Sequence, residues 1–565
     1  MKRTGPNHRK SKVARIPDTG YTGHVTSPGE TVSSVENFND FYNNYVKARK
    51  PVKITGTTNH PVDLKKLRVD TIVNTLGYPD KLQVERKHGY GFGLGLTREL
   101  MTMSLIVEKL ALGDDTYYLT TQYDSHDVED EDATGKDGSE ALDQGSDDNG
   151  GEEEEKQDND NDDDDDDDDE VGSFGDSADF DGSENFEVAR ISTNGVSPDS
   201  DKIDPHAIQT IAHVESDSDD EDLANQLEAF SNGDIHDDFE EDFEDDDNDI
   251  SSDSDSIENY ADPENKLTAD DIEFRVRTLL QPPLTTLAHD ETFPISPAPF
   301  NKLVTQQINL WMGASLDNPA KPDLLRPSRH NLRKYVPSGN SSGLHHDHAD
   351  NLYVLTEGRK RFTLYSPADA HTLYTVGNIN KVYGNGLVDY KVNKHAPHWR
   401  HMREDGAIIG EHARWMLEKD ECSGDMRAQL MDALVNEEVY NGTSPDKLDP
   451  PSFSTVPPIL AHLDELTDKE EIDALTAFAN KEFPGFLQLN KMEVWLEPGD
   501  MLYLPCGWFH EVTSYSSELG SAHIALNWWF MPPATSEDTP YQDDYWKEDF
   551  TKTLGAIQYV KDHGT

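Results

Sequence analysis

The sequence predicts a mainly β protein, a small barrel of antiparallel strands with flanking helices, interrupted by a long acidic insertion. Three observations carry this. First, two β-rich runs at residues 351–356 and 360–365 flank the turn Glu357-Gly358-Arg359 and stop at Ser366-Pro367, the pattern of a hairpin. Second, Glu497-Pro498-Gly499-Asp500 makes a tight turn into the apolar run 501–505, followed by Trp508-Phe509-His510 and a second apolar run at 521–530. That succession forms the closing half of a barrel. Third, the net charge of −63 is localised: residues 124–265 carry 57 Asp and Glu against 4 Lys and Arg, leaving an ordinary balance elsewhere.

In chain order, residues 1–28 are a basic tail with no apolar core, which excludes a secretory signal; they read as disordered, with a weak nuclear address as the alternative. Residues 29–123 form the N-terminal part of the folded unit. Residues 124–265 have few apolar side chains and no sustained period, so they cannot bury enough surface to offset the entropy of ordering. They are expected to be a disordered insertion. Residues 266–534 hold the barrel, with a helical insertion near 393–482. There, runs starting at Glu411 and Met426 and the stretch 461–481 place apolar residues three and four apart. They are expected to cap one barrel mouth or bind a partner. Residues 535–565 end in a helix bearing Tyr545, Trp546, Phe550, Leu554 and Ile557.

The chemistry concentrates in Ser341-Ser342-Gly343-Leu344-His345-His346-Asp347-His348 and in His510. A His-x-Asp pair plus a distant histidine is the ligand set of the 2-His-1-carboxylate triad, which holds Fe(II) on one face and leaves the other open. If the first segment is a strand, His345 and Asp347 point to one side and His346 and His348 to the other. The pair His346/His348 shares that period and remains an alternative for zinc or nickel. Lys360 opens the return strand, where an ammonium could hold a carboxylate; a solvated edge lysine is the plainer reading.

The order His-x-Asp, Lys, Gly-Asp-turn-strand-His, Asn-x-Trp resembles that of a Jumonji-C (JmjC) oxygenase of the small cupin-like hydroxylase type, over residues 29–123 and 266–534. Asn309-x-Trp311-x-Gly313, Gly343-Leu344-His345-x-Asp347-His348-x-x-Asn351-Leu352-Tyr353 and the segment from Gly499 to His510 are similar to the branch that hydroxylates a lysine in developmentally regulated GTP-binding proteins. Phe41-Tyr42-x-x-Tyr45-Val46, Arg49-Lys50-Pro51-Val52-x-Ile54 and Tyr117-Tyr118-Leu119 resemble that branch's entry helix and early strands. The resemblance implies a double-stranded β-helix of two facing antiparallel sheets. It implies iron ligands His345, Asp347 and His510. Lys360 would pair with the distal carboxylate of 2-oxoglutarate, with Tyr118 as a further partner. Ser342 stands where the family often has threonine, Asn309, Asn351 and Asn527 would line the site, and Trp529 would wall it. The cofactors so implied are Fe(II), 2-oxoglutarate as co-substrate and O2, with succinate and carbon dioxide as products.

The leading expectation is therefore a protein (lysyl) hydroxylase, acting on a protein substrate such as a translation-associated GTPase. The alternatives are a histone lysine demethylase with the same centre, an RNA-modifying hydroxylase, and a non-catalytic binding module. Two cysteines, Cys422 and Cys506, cannot build the zinc-reader modules of many demethylases and suit a reducing compartment. The acidic balance disfavours a large nucleic-acid footprint. No apolar run approaches membrane-spanning length, so cytoplasm or nucleus is expected. The insertion presents Ser216, Ser218, Ser252 and Ser254 before acidic residues, the pattern of acidophilic kinase sites, and offers an arm for a basic partner; a solvating linker is the alternative. In this family C-terminal helices can mediate homodimers.

Overall fold

A computed structural model of the chain describes residues 21–122 and 267–563, apart from short stretches within them. The acidic insertion at 124–265 and most of the basic tail lie outside the described residues.

Nine strands form the larger sheet: β1 (Glu30–Val32), β2 (Val52–Ile54), β3 (Lys81–Arg86), β4 (Arg98–Thr102), β5 (Tyr117–Leu119), β6 (Thr305–Ala314), β8 (Asp350–Glu357), β13 (Met501–Leu504) and β15 (Ala522–Phe530). Four form the smaller: β7 (Asn340–Ser341), β9 (Arg359–Tyr365), β12 (Met492–Leu496) and β14 (Phe509–Tyr515). A separate two-stranded ribbon joins β10 (Ile379–Val382) to β11 (Val388–Tyr390). The larger sheet runs β1-β2-β13-β8-β15-β6-β5-β3-β4 and the smaller β12-β9-β14-β7. All neighbours are antiparallel except β1 and β2.

The chain passes repeatedly between the sheets: β8 is in the larger, β9 and β12 in the smaller, β13 in the larger, β14 in the smaller and β15 in the larger. This is the expected double-stranded β-helix. It corrects one expectation. The runs around Gly358 do not pair as a hairpin, because β8 already has β13 on one edge and β15 on the other. Gly358 instead turns the chain from one sheet to the other at φ 80°. A Cβ there would lie 2.8 Å from the backbone of both His523 and Tyr515, so only glycine fits without displacement.

Alternation along the strands sorts the core into two layers. Ile308, Leu310 and Met312 of β6, with Ile524, Leu526 and Trp528 of β15, face a cluster that includes the helices Met103–Ala111, Ala269–Leu279 and Tyr545–His563. Tyr353, Leu355 and Ala525 of the larger sheet meet Phe362 and Leu364 of the smaller in the other layer. With both faces covered, all eight residues of β8 are buried. Behind β8 the buried guanidinium of Arg49 clamps both carboxylate oxygens of Asp350 at 2.5 and 2.8 Å, and Tyr503 donates to the same carboxylate at 2.6 Å.

The inserted region contains helices Ile409–Glu418, Gly424–Val435 and Lys469–Glu482. The last starts later than the 461–481 periodicity predicts. Short 3-10 turns at Pro458–Ala461 and Leu463–Glu465 come first. The Asp468 carboxylate, accepting from the Glu470 and Glu471 amides, then caps the helix. Its Leu475 and Ala479 join the buried cluster that contains the residues between the sheets, whereas Gly424–Val435 has no buried residue. The C-terminal helix spans Tyr545–His563 and buries Trp546, Ala556, Ile557 and Val560, while Leu554 is exposed.

Candidate functional site

His345 and Asp347 do not lie on a strand. They occupy the irregular link between β7 and β8, where His345 makes an isolated bridge to His510 at the start of β14. Two backbone bonds join them, His345 N–H to the His510 carbonyl at 3.0 Å and His510 N–H to the His345 carbonyl at 2.7 Å. That exchange brings the rings side by side, with centroids 4.3 Å apart and planes tilted by 53°. The Gly507 N–H, from the turn before β14, donates to the Asp347 carbonyl at 2.9 Å. The convergence expected from strand alternation is thus produced by a loop pinned to β14.

One ligand atom from each of His345, Asp347 and His510 lies within 4.8 Å of the other two, the one such cluster among the described residues. The Asp347 Oδ2 to His510 Nε2 distance is 3.7 Å. The Nδ1 of His345 lies 3.0 Å from the Gly343 carbonyl, and that of His510 lies 3.0 Å from the Trp508 carbonyl. A carbonyl only accepts, so each Nδ1 carries the proton and each Nε2 presents its lone pair. Two imidazoles and one carboxylate on one face, with tautomers fixed, suit Fe(II). The competing pair is spoken for: the His346 ring meets the Tyr390 hydroxyl at 2.6 Å and that of His348 the Val388 carbonyl at 3.1 Å.

A relay of amides steadies the carboxylate. The Trp311 indole donates to Asn527 at 2.8 Å, Asn527 to Asn351 at 3.3 Å, and Asn351 to Asp347 at 3.3 Å. Asn309 sits opposite Asn527 in register and accepts from Thr121 at 3.3 Å. Trp529 pairs in register with Asn351 and packs edge-on against Trp311, which places it at the rim of the same wall. The Ser342 hydroxyl is committed to backbone: it donates to the Gly343 carbonyl at 2.9 Å and accepts from Val512 N–H at 3.1 Å.

Lys360 is 1% exposed, not the edge-strand lysine of the plainer reading. Its ammonium donates to Ser514 at 2.9 Å and Tyr118 at 3.3 Å. No ion pair involving it occurs among the described residues, and burial pulls its pKa down to about 7. A buried cation with only neutral partners is costly, and a carboxylate arriving beside it removes that cost. Tyr118 is likewise held protonated by burial.

Sequence reasoning missed three residues here. Ser514 and His523 were legible in principle, lying at the two-residue period from His510 and from Asn527. Phe453, whose ring stacks on His345 at 4.8 Å, carries no such signal. It comes from the inserted region, so the inserted segment that reaches the candidate metal site is a loop rather than a helix.

Fold and site together define a JmjC-type domain of the Fe(II)/2-oxoglutarate oxygenase superfamily. The chain matches the Cupin-like domain over residues 192–536, more than half its length, and belongs to that family. It is similar to JmjC domain-containing protein 4 of Schizosaccharomyces pombe, 29% identical over 329 residues that cover 48% of this chain and 64% of the relative. It is also similar to tRNA wybutosine-synthesizing protein 5 of Danio rerio, 28% identical over 100 residues that cover 18% of this chain and 29% of the relative. The chain therefore spans less than two thirds of the length of either relative. No helix among the described residues is long and apolar enough to cross a membrane.

Proposed function

We propose that this chain is an Fe(II)- and 2-oxoglutarate-dependent protein hydroxylase that oxidises a lysyl side chain and forms succinate and carbon dioxide. One observation carries the reading: the strand pair that holds His510 of the three-ligand cluster also holds a buried ammonium, Lys360, that has no anionic partner among the described residues. His345 Nε2, a carboxylate oxygen of Asp347 and His510 Nε2 would hold the metal, and Lys360 the distal carboxylate of the oxo acid. When bound, the pair supplies the oxidising chemistry by coupling decarboxylation of 2-oxoglutarate to oxygen insertion at a carbon–hydrogen bond.

The protein's own residues bind, orient and exclude water. Ser514 and Tyr118 fix the Lys360 ammonium, the Asn527–Asn351 relay fixes Asp347, and Phe453 covers one face of His345. A protein substrate is favoured over nucleic acid by the net charge of −63, which repels a phosphate backbone. The 100-residue similarity to a tRNA wybutosine-synthesizing protein favours the second reading, an RNA hydroxylase. On the leading reading the substrate is a translation-associated GTPase met in the cytoplasm or nucleus, and the acidic insertion takes a basic partner.

The test begins with anaerobic protein, Fe(II) and 2-oxoglutarate, read as the visible metal-to-ligand charge-transfer band. Candidate peptides and RNAs are then weighed after aerobic turnover. A band and a gain of one oxygen on a lysyl peptide are expected. A gain on RNA alone moves the assignment to the second reading. Loss of a methyl group makes the chain a demethylase, and no band in folded, metal-loaded protein makes it a binding module.

A further inference from the structure

Tyr118, Gly313 and His523 stand in one row across three neighbouring strands, with Tyr118 of β5 and His523 of β15 each opposite Gly313 of β6. The glycine is what lets the two rings converge. A Cβ at Gly313 would lie 2.5 Å from Tyr118 Cδ2 and 2.7 Å from His523 Cε1. Their centroids are 5.7 Å apart, and the Tyr118 hydroxyl in turn meets the Lys360 ammonium at 3.3 Å. His523 precedes Asn527 by four residues on β15, so the two-residue period turns both to the inward face.

His523 is 1% exposed, and neither ring nitrogen makes a well-formed hydrogen bond among the described residues. The nearest acceptors, the backbone of Ala314 and of His523 itself, lie outside good hydrogen-bond geometry. A buried imidazole so poorly satisfied is costly, whereas an aliphatic side chain would fill the volume without that cost. Burial, and then the charge of Lys360, hold its pKa well below the ordinary value. The ring is therefore neutral, with one N–H to give. A carboxylate offers about four acceptor sites. Lys360, Ser514 and Tyr118 supply three donors at this end, and His523 is a fourth.

Resting on the oxygenase reading above, we propose that His523 closes the far end of the co-substrate pocket. It donates a ring N–H to the distal carboxylate that Lys360 pairs with, and limits the oxo acid to five carbons. His523 is a positioning and specificity residue, with no part in the bond changes at the metal.

The test is anaerobic titration of the Fe(II)-loaded full chain with 2-oxoglutarate and with the six-carbon homologue 2-oxoadipate, followed by the charge-transfer band. Wild type is compared with His523→Ala, His523→Phe and His523→Gln. His523→Ala is expected to weaken 2-oxoglutarate binding by about 10- to 100-fold, the usual worth of a hydrogen bond to a charged group, and to narrow or invert the preference over 2-oxoadipate. His523→Phe keeps the bulk and lacks the donor, so it is expected to lose 2-oxoglutarate affinity while still rejecting 2-oxoadipate. It carries the test if the alanine variant does not fold. His523→Gln restores a donor and is expected to recover much of the affinity, which a purely packing role would not predict. Unchanged titrations in the alanine and phenylalanine variants overturn the inference and leave the oxygenase reading standing. Absence of a band in the folded, metal-loaded wild type overturns both.

Discussion

Lys360 and Ser514 occupy directly opposed positions on β9 and β14, and the lysine ammonium lies 2.9 Å from the serine hydroxyl. The register of the smaller sheet thus carries a cation inward from a strand that also pairs with His510. The candidate metal ligand His510 and the buried Lys360 ammonium are fixed by one pair of strands.

Co-substrate affinity should depend on pH through this lysine. Burial lowers its pKa to about 7 in the ligand-free protein, so the ammonium is present below that pH and lost above it. A bound carboxylate favours the charged form. The apparent Kd for 2-oxoglutarate should therefore rise about tenfold per pH unit above neutrality. Titrations of the charge-transfer band between about pH 6.5 and 8.5 check this, and a flat profile counts against Lys360 as the anion partner.

Stability should run the other way. The unfolded lysine keeps its proton up to about pH 10.4 and the folded one releases it near 7. Between those values the unfolded state binds more protons, so this side chain makes stability rise with pH. Lys360→Met should remove that slope and stabilise the ligand-free protein by about 1–4 kcal/mol. It should also abolish the thermal shift that 2-oxoglutarate gives. Denaturant melts at two pH values measure both effects.

Asp347→Ala should abolish the charge-transfer band and weaken Fe(II) binding by more than the roughly 100-fold that loss of an outer partner can cost. The two histidines keep their backbone bridge, so the melting temperature of the metal-free protein should change little. Fe(II) affinity equal to wild type would remove Asp347 from the ligand set.

Asp350→Ala strands the buried Arg49 guanidinium, whose partner carboxylate is fully buried. Breaking one side of a buried pair typically costs about 3–5 kcal/mol, and urea unfolding should show a loss of that size. The double variant Arg49→Met with Asp350→Ala should recover part of it. A single variant as stable as wild type contradicts this account of the larger sheet's support.

Excision of residues 124–265 should leave melting temperature and co-substrate binding near wild type. The Gln122 N–H donates to the Gln281 side chain at 3.0 Å, so the segment entering the insertion is tied to the segment after the helix Ala269–Leu279 by a contact that does not involve the insertion. A large fall in melting temperature shows that the acidic segment contributes to the core.

Much of the site was legible because its signals are local. His345-x-Asp347, Lys360 and the turn-strand-histidine ending at His510 each sit in a short window, and strand alternation marks which neighbours accompany them. The same rule, applied along β14 and β15, would have reached Ser514 and His523. The sequence around Gly358 does not distinguish a hairpin from a crossover, because two β-rich runs around a glycine look alike whether they pair with each other or with strands from elsewhere. Only the occupied edges of β8 distinguish the cases.

By itself, then, the sequence determined the candidate ligand types, the alternation of buried strands and the confinement of charge to residues 124–265, since each follows from residue chemistry within a short window. Tertiary structure alone decided that His345 and Asp347 converge from a loop, that Phe453 reaches the His345 ring from an insertion, and that Lys360 is buried without a carboxylate. Those facts depend on which distant strands share edges, and strand pairing between remote segments leaves no mark in any single stretch of chain.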